Sequence, residues 1–181
     1  MPPGARHYDT WAVHIGSEPR CHDVGVGIEF VRLPGIDPAD LIALWDDPAV
    51  RKHLPLASGR FDEAACAGFV AAKEQIWAEH GYGPWAFVAD GEFVGWGGPQ
   101  PEGDDVDIAL VLHKRAWGLG RAIYDEVARR VFADPAPDSV TVLLPPSRRQ
   151  AHALRRLGLT PDGDTTIDGH VFLRFRLRAP R

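Results

Sequence analysis

The spacing of apolar positions changes period several times along the chain, and each change marks an element. Residues 28–33 alternate as a strand, Pro34-Gly35 breaks the run, and Asp37-Pro38 supplies an N-cap followed by proline at the first helical position. A helix over about 38–46 follows. Phe61, Ala65, Phe69, Ala72 and Ile76 recur at steps of four, four, three and four, which predicts a second helix with one apolar face, ending before Gly81. Residues 85–89 and 92–96 flank Asp90-Gly91, whose tolerance of positive backbone angles suits a two-residue hairpin turn. After an acidic loop over 102–105 comes an apolar strand over 106–112, then a helix over about 118–132 striped by Leu119, Ile123, Val127 and Val131. Residues 139–144 read as a buried β-branched strand, 147–157 as a helix, and 159–165 with 170–177 as a closing hairpin around Asp168-Gly169. Helices and hairpins alternate too closely for two domains. The pattern predicts one mixed α/β (α+β) layer fold over 27–181, preceded by an irregular arm over 1–26.

Composition narrows the class. The 181 residues are 45% apolar and 25% charged, which suits a folded domain and excludes a disordered or fibrous one. No run approaches the length of a membrane span. Cys21 and Cys66 stand apart without a C-x-x-C partner, so neither a disulfide framework nor a zinc site is supported, and a cytoplasmic protein without metal or membrane partner is expected. The net charge of -5 argues against nucleic-acid binding through broad phosphate neutralisation. That average conceals a split: residues 1–113 hold seven basic and 18 acidic side chains, a balance of -11, and 114–181 hold 13 and seven, a balance of +6. An anionic ligand favours the second segment and a cationic one the first, with chance segregation as the plainer account.

The stretch Arg115-Ala116-Trp117-Gly118-Leu119-Gly120-Arg121 joins the apolar strand to the striped helix. Strand, glycine loop and helix make a phosphate cradle: glycines remove side chains that would block a diphosphate, and the unpaired amides of the first helical turn face its oxygens. A tight turn that only needs small residues has the same glycines. A dinucleotide fingerprint is excluded because Ile123 stands where its third glycine belongs, and the Gly-Lys-Ser/Thr of a P-loop is absent. The coenzyme A pattern R/Q-x-x-G-x-G/A remains, and Arg115, Gly118 and Gly120 match every fixed position of it.

Further motifs agree. Asp107-Ile108-Ala109-Leu110-Val111-Leu112 is similar to a Glu-Ile-Gly-Tyr-x-Leu strand, Trp117-Gly118-Leu119-Gly120 to Trp-Gly-x-Gly, and Leu157-Gly158-Leu159 to a helix-closing Leu-Gly-Phe. Asp162-Gly163, Ile167-Asp168-Gly169 and Arg174-Phe175-Arg176-Leu177 complete the set. With these residues the chain, from about 28 to 177, resembles the GNAT superfamily of acyl-CoA-dependent N-acyltransferases, in its ribosomal-protein N-acetyltransferase-like branch.

The resemblance implies a single domain whose mixed, mostly antiparallel sheet has splayed fourth and fifth strands and helices on both faces. It implies acetyl-CoA as cosubstrate, with backbone groups of Leu110, Val111 and Leu112 bonding the pantetheine arm and Arg115, Ala116, Trp117, Gly118, Leu119, Gly120 and Arg121 holding the phosphates. Arg148 or Arg149 lies near the same place, whereas for the arginine pairs 129–130 and 155–156 a solvated helix face is the plainer reading. Asp107 stands at the family's frequent Glu position, so it is the candidate general base. Alternation puts it with Ala109 and Val111 on one strand face, opposite Ile108, Leu110 and Leu112. The tyrosine that many members use as acid is replaced by Leu154, leaving Tyr124, His113 and His152 without a motif behind them. Ser147, at the start of the following helix, is a second candidate catalytic residue, able to bond the coenzyme or to cap the helix.

The acceptor side is expected from the first helices and hairpins, where Trp45, His53, Trp77, His80, Tyr82, Trp85 and Trp96 concentrate. Acidic clusters at Asp46-Asp47, Asp62-Glu63 and 102–107 suit a cationic amine or a basic peptide N-terminus. The expectation is an acetyl-CoA-dependent N-acetyltransferase acting directly on a primary amine. A module that binds acyl-CoA without turnover is the alternative, and a homodimer is in keeping with the superfamily.

Overall fold

The computed structural model describes residues 27–55, 59–133, 137–146 and 151–179. The arm over 1–26, Ser147 and the Arg148-Arg149 pair lie outside them. In chain order the elements are β1 (Ile28–Val31), a 3-10 turn (Leu33–Gly35), α1 (Pro38–Asp46), α2 (Pro48–Arg51), α3 (Glu63–His80), β2 (Trp85–Ala89), β3 (Glu92–Glu102) and β4 (Asp105–Leu112). A second 3-10 turn (Lys114–Leu119), α4 (Gly120–Val131), β5 (Ser139–Leu144), α5 (Ala151–Arg156), β6 (Thr160–Ile167) and β7 (His170–Arg178) follow. One seven-stranded sheet runs β1-β2-β3-β4-β5-β7-β6. All its neighbours are antiparallel except β4 and β5, which are parallel and pair only at Asp107 with Thr141 before they splay.

Both expected hairpin turns are present, with Asp90 and Gly91 at φ 52° and 80° and Asp168 and Gly169 at 47° and 79°. Consecutive left-handed residues twist a two-residue turn the way the strands need. Strand β3 is longer than the 92–96 expected and continues to Glu102, so the acidic loop shrinks to the turn at Gly103-Asp104. Glycine is what allows this extension. A Cβ at Gly97 would lie 2.4 Å from the Ala109 carbonyl oxygen, so β3 closes on β4 only where side chains are absent.

Helix α1 forms where expected, with the Asp37 carboxylate accepting the Ala39 N–H at 2.9 Å and Pro38 at the first position. The same Asp-Pro device at Asp47-Pro48 starts α2, which the apolar pattern does not reveal. Helix α3 runs from its Asp62 cap to a left-handed Gly81. Its inward face is rotated toward Cys66, Val70, Lys73 and Trp77; of the expected positions Phe69 still packs inward, whereas Ala65 and Ala72 are exposed. Alanine methyls bury little, whereas the Trp77 ring is fixed inside by its Nε1–H donating to the Pro84 carbonyl at 3.0 Å. The rotation carries Lys73 to the buried side.

Two apolar clusters cover the two faces of the sheet. Ile108, Leu112, Ile123, Tyr124, Val127, Leu144 and Phe175 belong to one, under α4, with Leu154 of α5 and Leu157 just beyond it packed against it. Leu41, Leu44, Val50, Cys66, Trp96 and Val111 belong to the other, under α1 and α3. Arg130 is not on a solvated face: its guanidinium pairs with Glu126 at 2.8 Å and lies 4.3 Å from the Phe30 ring centroid.

Candidate active site

The glycine loop leaves β4 through His113 and tightens into the 3-10 turn before α4 begins at Gly120, two residues later than expected. Trp117 anchors the turn, its indole N–H donating to the Leu112 carbonyl at 3.1 Å while 40% of the residue stays exposed. Ala116 is buried and Leu119 half-buried. Arg115 turns back to the β2–β3 hairpin, donating to the Phe93 carbonyl at 2.9 Å and facing Glu92 at 3.3 Å. Arg121 forms an exposed pair with Asp125 at 3.3 Å. Such surface pairs are worth at most about 1 kcal/mol, so neither arginine is committed to its present partner.

The loop fits a phosphate group. A Cβ at Gly118 would meet no atom within 4 Å, and one at Gly120 only the Leu112 side chain at 3.6 Å, so the glycines open onto space. The first turn of α4 has neither a side-chain cap nor an acidic residue, which leaves its positive dipole end for an anion, although the Gly120 N–H is already bonded to the Trp117 carbonyl. Beyond the Asp107–Thr141 pair, the β5-facing edge of Ile108 to Leu112 has no strand partner. The Leu112 carbonyl is already engaged by Trp117, so of the three residues expected to bond the pantetheine arm, Leu110 and Val111 keep the freer backbone groups.

Asp107 sits at the point where the strands part. It is 4% exposed, on the face of Ala109 and Val111, buried against the α3 side rather than turned to solvent. Burial pushes its carboxyl up from 3.8 to about 7, and the Glu102 charge adds to this. Hydrogen bonding from the Gln100 side chain, the Leu143 amide and Thr141 Oγ1, at 3.5 Å, pulls the other way. Gln100 stands directly across from Asp107 in the β3–β4 register. Its Oε1 accepts from Lys73 Nζ at 2.8 Å. Burial lowers the Lys73 ammonium below its usual range, against the pull of Asp107.

Lys73, Gln100 and Thr141 are therefore site neighbours that the motif reading misses. The ammonium of Lys73 lies 5.5 Å from the Phe69 ring centroid and 5.2 Å from that of Trp96. Trp45 stacks on both Phe61 and Trp96, at 4.5 and 5.8 Å. These rings form an aromatic wall beside the polar pair. Of the aromatics in the acceptor half, Trp77 and Trp85 are core residues of the cluster under α4.

The acidic clusters expected to attract a cationic acceptor are mostly engaged elsewhere. Asp37, Asp47 and Asp62 cap helices, Asp46 faces Arg51 at 3.8 Å, and Asp105 binds Arg176 at 2.7 Å. Among the described residues no group of His, Cys, Asp or Glu side chains is arranged for a metal ion, and no helix is long and apolar enough to cross a membrane.

On the opposite face, the Tyr124 hydroxyl is buried without a hydrogen-bond partner, and burial, with Asp125 adding, pushes it up to about 12. It shares a cluster with Leu154, where the family tyrosine is missing. Burial and then Arg115 lower His113, with Asp47 and Asp40 opposing. His152 is exposed.

A splayed parallel strand pair, a glycine loop opening on a helix start and a mixed sheet define an acetyltransferase of the GNAT type. Residues 30–160 match the family described as "Acetyltransferase (GNAT) domain", and the chain belongs to that family. Among solved structures, a probable GNAT-family acetyltransferase from Chromobacterium violaceum superposes with a TM-score of 0.69 at 16% identity, covering 91% of this chain and 94% of that one. A putative acetyltransferase from T. thermophilus does so at 0.63 and 20% identity, covering 91% of each. An aminoglycoside acetyltransferase, AAC(6')-Ib, solved in complex with coenzyme A, gives 0.64 at 16% identity, covering 84% of this chain and 94% of that one. At these identities the structures support the fold. The family assigns the reaction class, acetyl transfer from an acyl-CoA donor.

Proposed function

We propose that this chain transfers an acetyl group from acetyl-CoA directly to a primary amine, a small amine or a peptide N-terminus, with Asp107 as general base. The observation that carries the reading is a buried carboxyl, pushed to about 7, at the point where β4 and β5 part. A base is most effective when its pKa lies near the working pH. Acetyl-CoA, when bound, supplies the acetyl group as a thioester. The residues that would hold it are the backbone of Leu110 and Val111 and the loop from Arg115 to Arg121, with Ser147 in the role the resemblance gives it. A free amide of β4 stabilises the negative charge that develops on the thioester oxygen, as a fixed donor in a dry site does. Asp107 takes the proton from the attacking nitrogen, and Gln100 and Thr141 hold its carboxylate in place.

The test is thiol release and product mass on a panel of amines that includes polyamines, aminoglycosides, basic peptides and amino acids. The expected result is a singly N-acetylated product, kcat/KM rising with pH through about 7, and a fall of about 10²–10⁴-fold for Asp107→Asn. Acetyl-CoA binding without thiol release on any acceptor would instead support the non-catalytic sensor.

A further inference from the structure

Two hydrogen-bond donors on the α3 side of β4 are under-used, one with a single neutral acceptor and one with none. The Lys73 side chain is largely buried, yet its only polar contact among the described residues is a neutral one, Gln100 Oε1, and no carboxylate oxygen lies within ion-pair distance. The Trp96 indole is 5% exposed, and its Nε1–H has no acceptor. A buried donor without a partner costs about 1–3 kcal/mol, which applies to the indole, and an ammonium with one neutral acceptor keeps two N–H groups for an anion. The two belong to one place, since the ammonium stands 5.2 Å from the centroid of that same indole. The ammonium lacks an anionic partner and the indole lacks any acceptor, and one carboxylate would serve both.

The register brings this place beside the proposed base. On β3 and β4 the pair Trp96–Val111 is separated from Gln100–Asp107 only by Gly98–Ala109, so nothing larger than a methyl stands between the indole row and the polar row. Lys73 and Asp107 are joined through a single carboxamide, that of Gln100. A cation and an anion one amide apart match, in reverse, the ammonium and carboxylate of a short zwitterion.

We infer that the amine acceptor carries a carboxylate close to its amino group, received by the Lys73 ammonium and the Trp96 indole N–H. This rests on the N-acetyltransferase reading above and narrows its acceptor to amino-acid-like amines. The amino group then lies at Asp107 and the carboxylate at Lys73, with Phe69 and Trp96 walling the carbon skeleton. The same pair of donors accounts for a lysine on the buried stripe of α3.

The experiment compares free amino acids with the same compounds as carboxamides, by thiol release and product mass, in the full chain. The expected result is a preference for the acids of about tenfold or more in kcat/KM, the size of one charged hydrogen-bonding pair. That ratio collapses toward one in Lys73→Met and falls partway in Trp96→Phe, which removes the N–H with the five-membered ring that carries it and keeps an aromatic face. Equal rates for acid and amide, or the same ratio in Lys73→Met as in the parent, overturn the inference. A second measurement separates it from the parent reading: tryptophan fluorescence titrated with N-acetyl amino acids and their amides in the presence of coenzyme A. Lys73-dependent binding of the acids without any turnover would refute N-acetylation and keep the carboxylate site. Acids that bind no better than amides would remove the site whatever the turnover.

Discussion

The two faces of β4 do different chemistry with different parts of the chain. On the α4 face, Ile108 and Leu112 are buried among apolar side chains, and what meets a ligand is backbone, the glycine loop and the uncapped positive end of α4. On the α3 face the polar groups are side chains, Asp107, Gln100 and Lys73, set against aromatic rings. Backbone can hold a coenzyme that does not vary, because any residue small enough to let it approach will serve. Discrimination between acceptors requires side chains, and these have to be gathered from separate elements. Substitutions on the two faces should therefore separate donor effects from acceptor effects.

The largest expected effect is on the α3 face and concerns stability as well as rate. The Asp107 carboxyl titrates near 7 in the folded chain and near 3.8 when unfolded, so between these values the folded state binds more protons. Stability therefore falls as pH rises through that window and stays low above it, the reverse of a salt-bridged aspartate. Asp107→Asn should be more stable than the parent at pH 8, by up to roughly 4 kcal/mol, with the difference closing below pH 4. Denaturant unfolding at the two pH values checks this. A variant less stable at pH 8 would mean that the hydrogen bonds from Gln100, Leu143 and Thr141 outweigh the burial of charge.

Gly118→Asp examines the other face. The side chain enters open space, so the melting temperature without ligand should hold, while a carboxylate at the loop repels the coenzyme phosphates. The KM for acetyl-CoA should rise about 10²-fold with the acceptor KM little changed, a change of about 2.7 kcal/mol. Equal rises in both constants would show that the faces are not separable.

This division also explains what the sequence discloses. The loop over 115–121 is contiguous, and its glycines, helix start and preceding strand are all legible without tertiary knowledge. The Asp-Gly hairpins are legible because two consecutive left-handed residues admit few sequences. The α3 face is assembled from positions 73, 96, 100, 107 and 141, and no local period joins them. Counting alanines as apolar turned the expected stripe of α3 by one residue and hid Lys73. Part of the signal was within reach: once the turn is placed at Gly103-Asp104, counting back along both strands sets Gln100 opposite Asp107. The extension of β3 through Gly97 and Pro99 was hidden because glycine and proline ordinarily argue against a strand interior.

The smallest expected effect sharpens the comparison at its weakest point, an unpartnered polar side chain on the α4 face. The Tyr124 hydroxyl is buried in the cluster that also holds Leu112, Ala116 and Leu144, with no hydrogen-bond partner. Pushed up to about 12, it stays protonated across the working range and keeps its O–H to donate. If the hydroxyl has no use, Tyr124→Phe removes an unsatisfied group from a core and should raise stability by about 1 kcal/mol without touching kcat. If it donates to the departing thiolate in place of the tyrosine that Leu154 replaces, the same variant keeps the gain in melting temperature but loses several-fold in kcat, with both KM values unchanged. The second outcome is the one expected, because an orphaned hydroxyl next to the coenzyme loop costs stability that a bound donor group would recover. A loss of kcat accompanied by a fall in melting temperature would instead make Tyr124 an ordinary packing residue and leave the α4 face wholly to backbone.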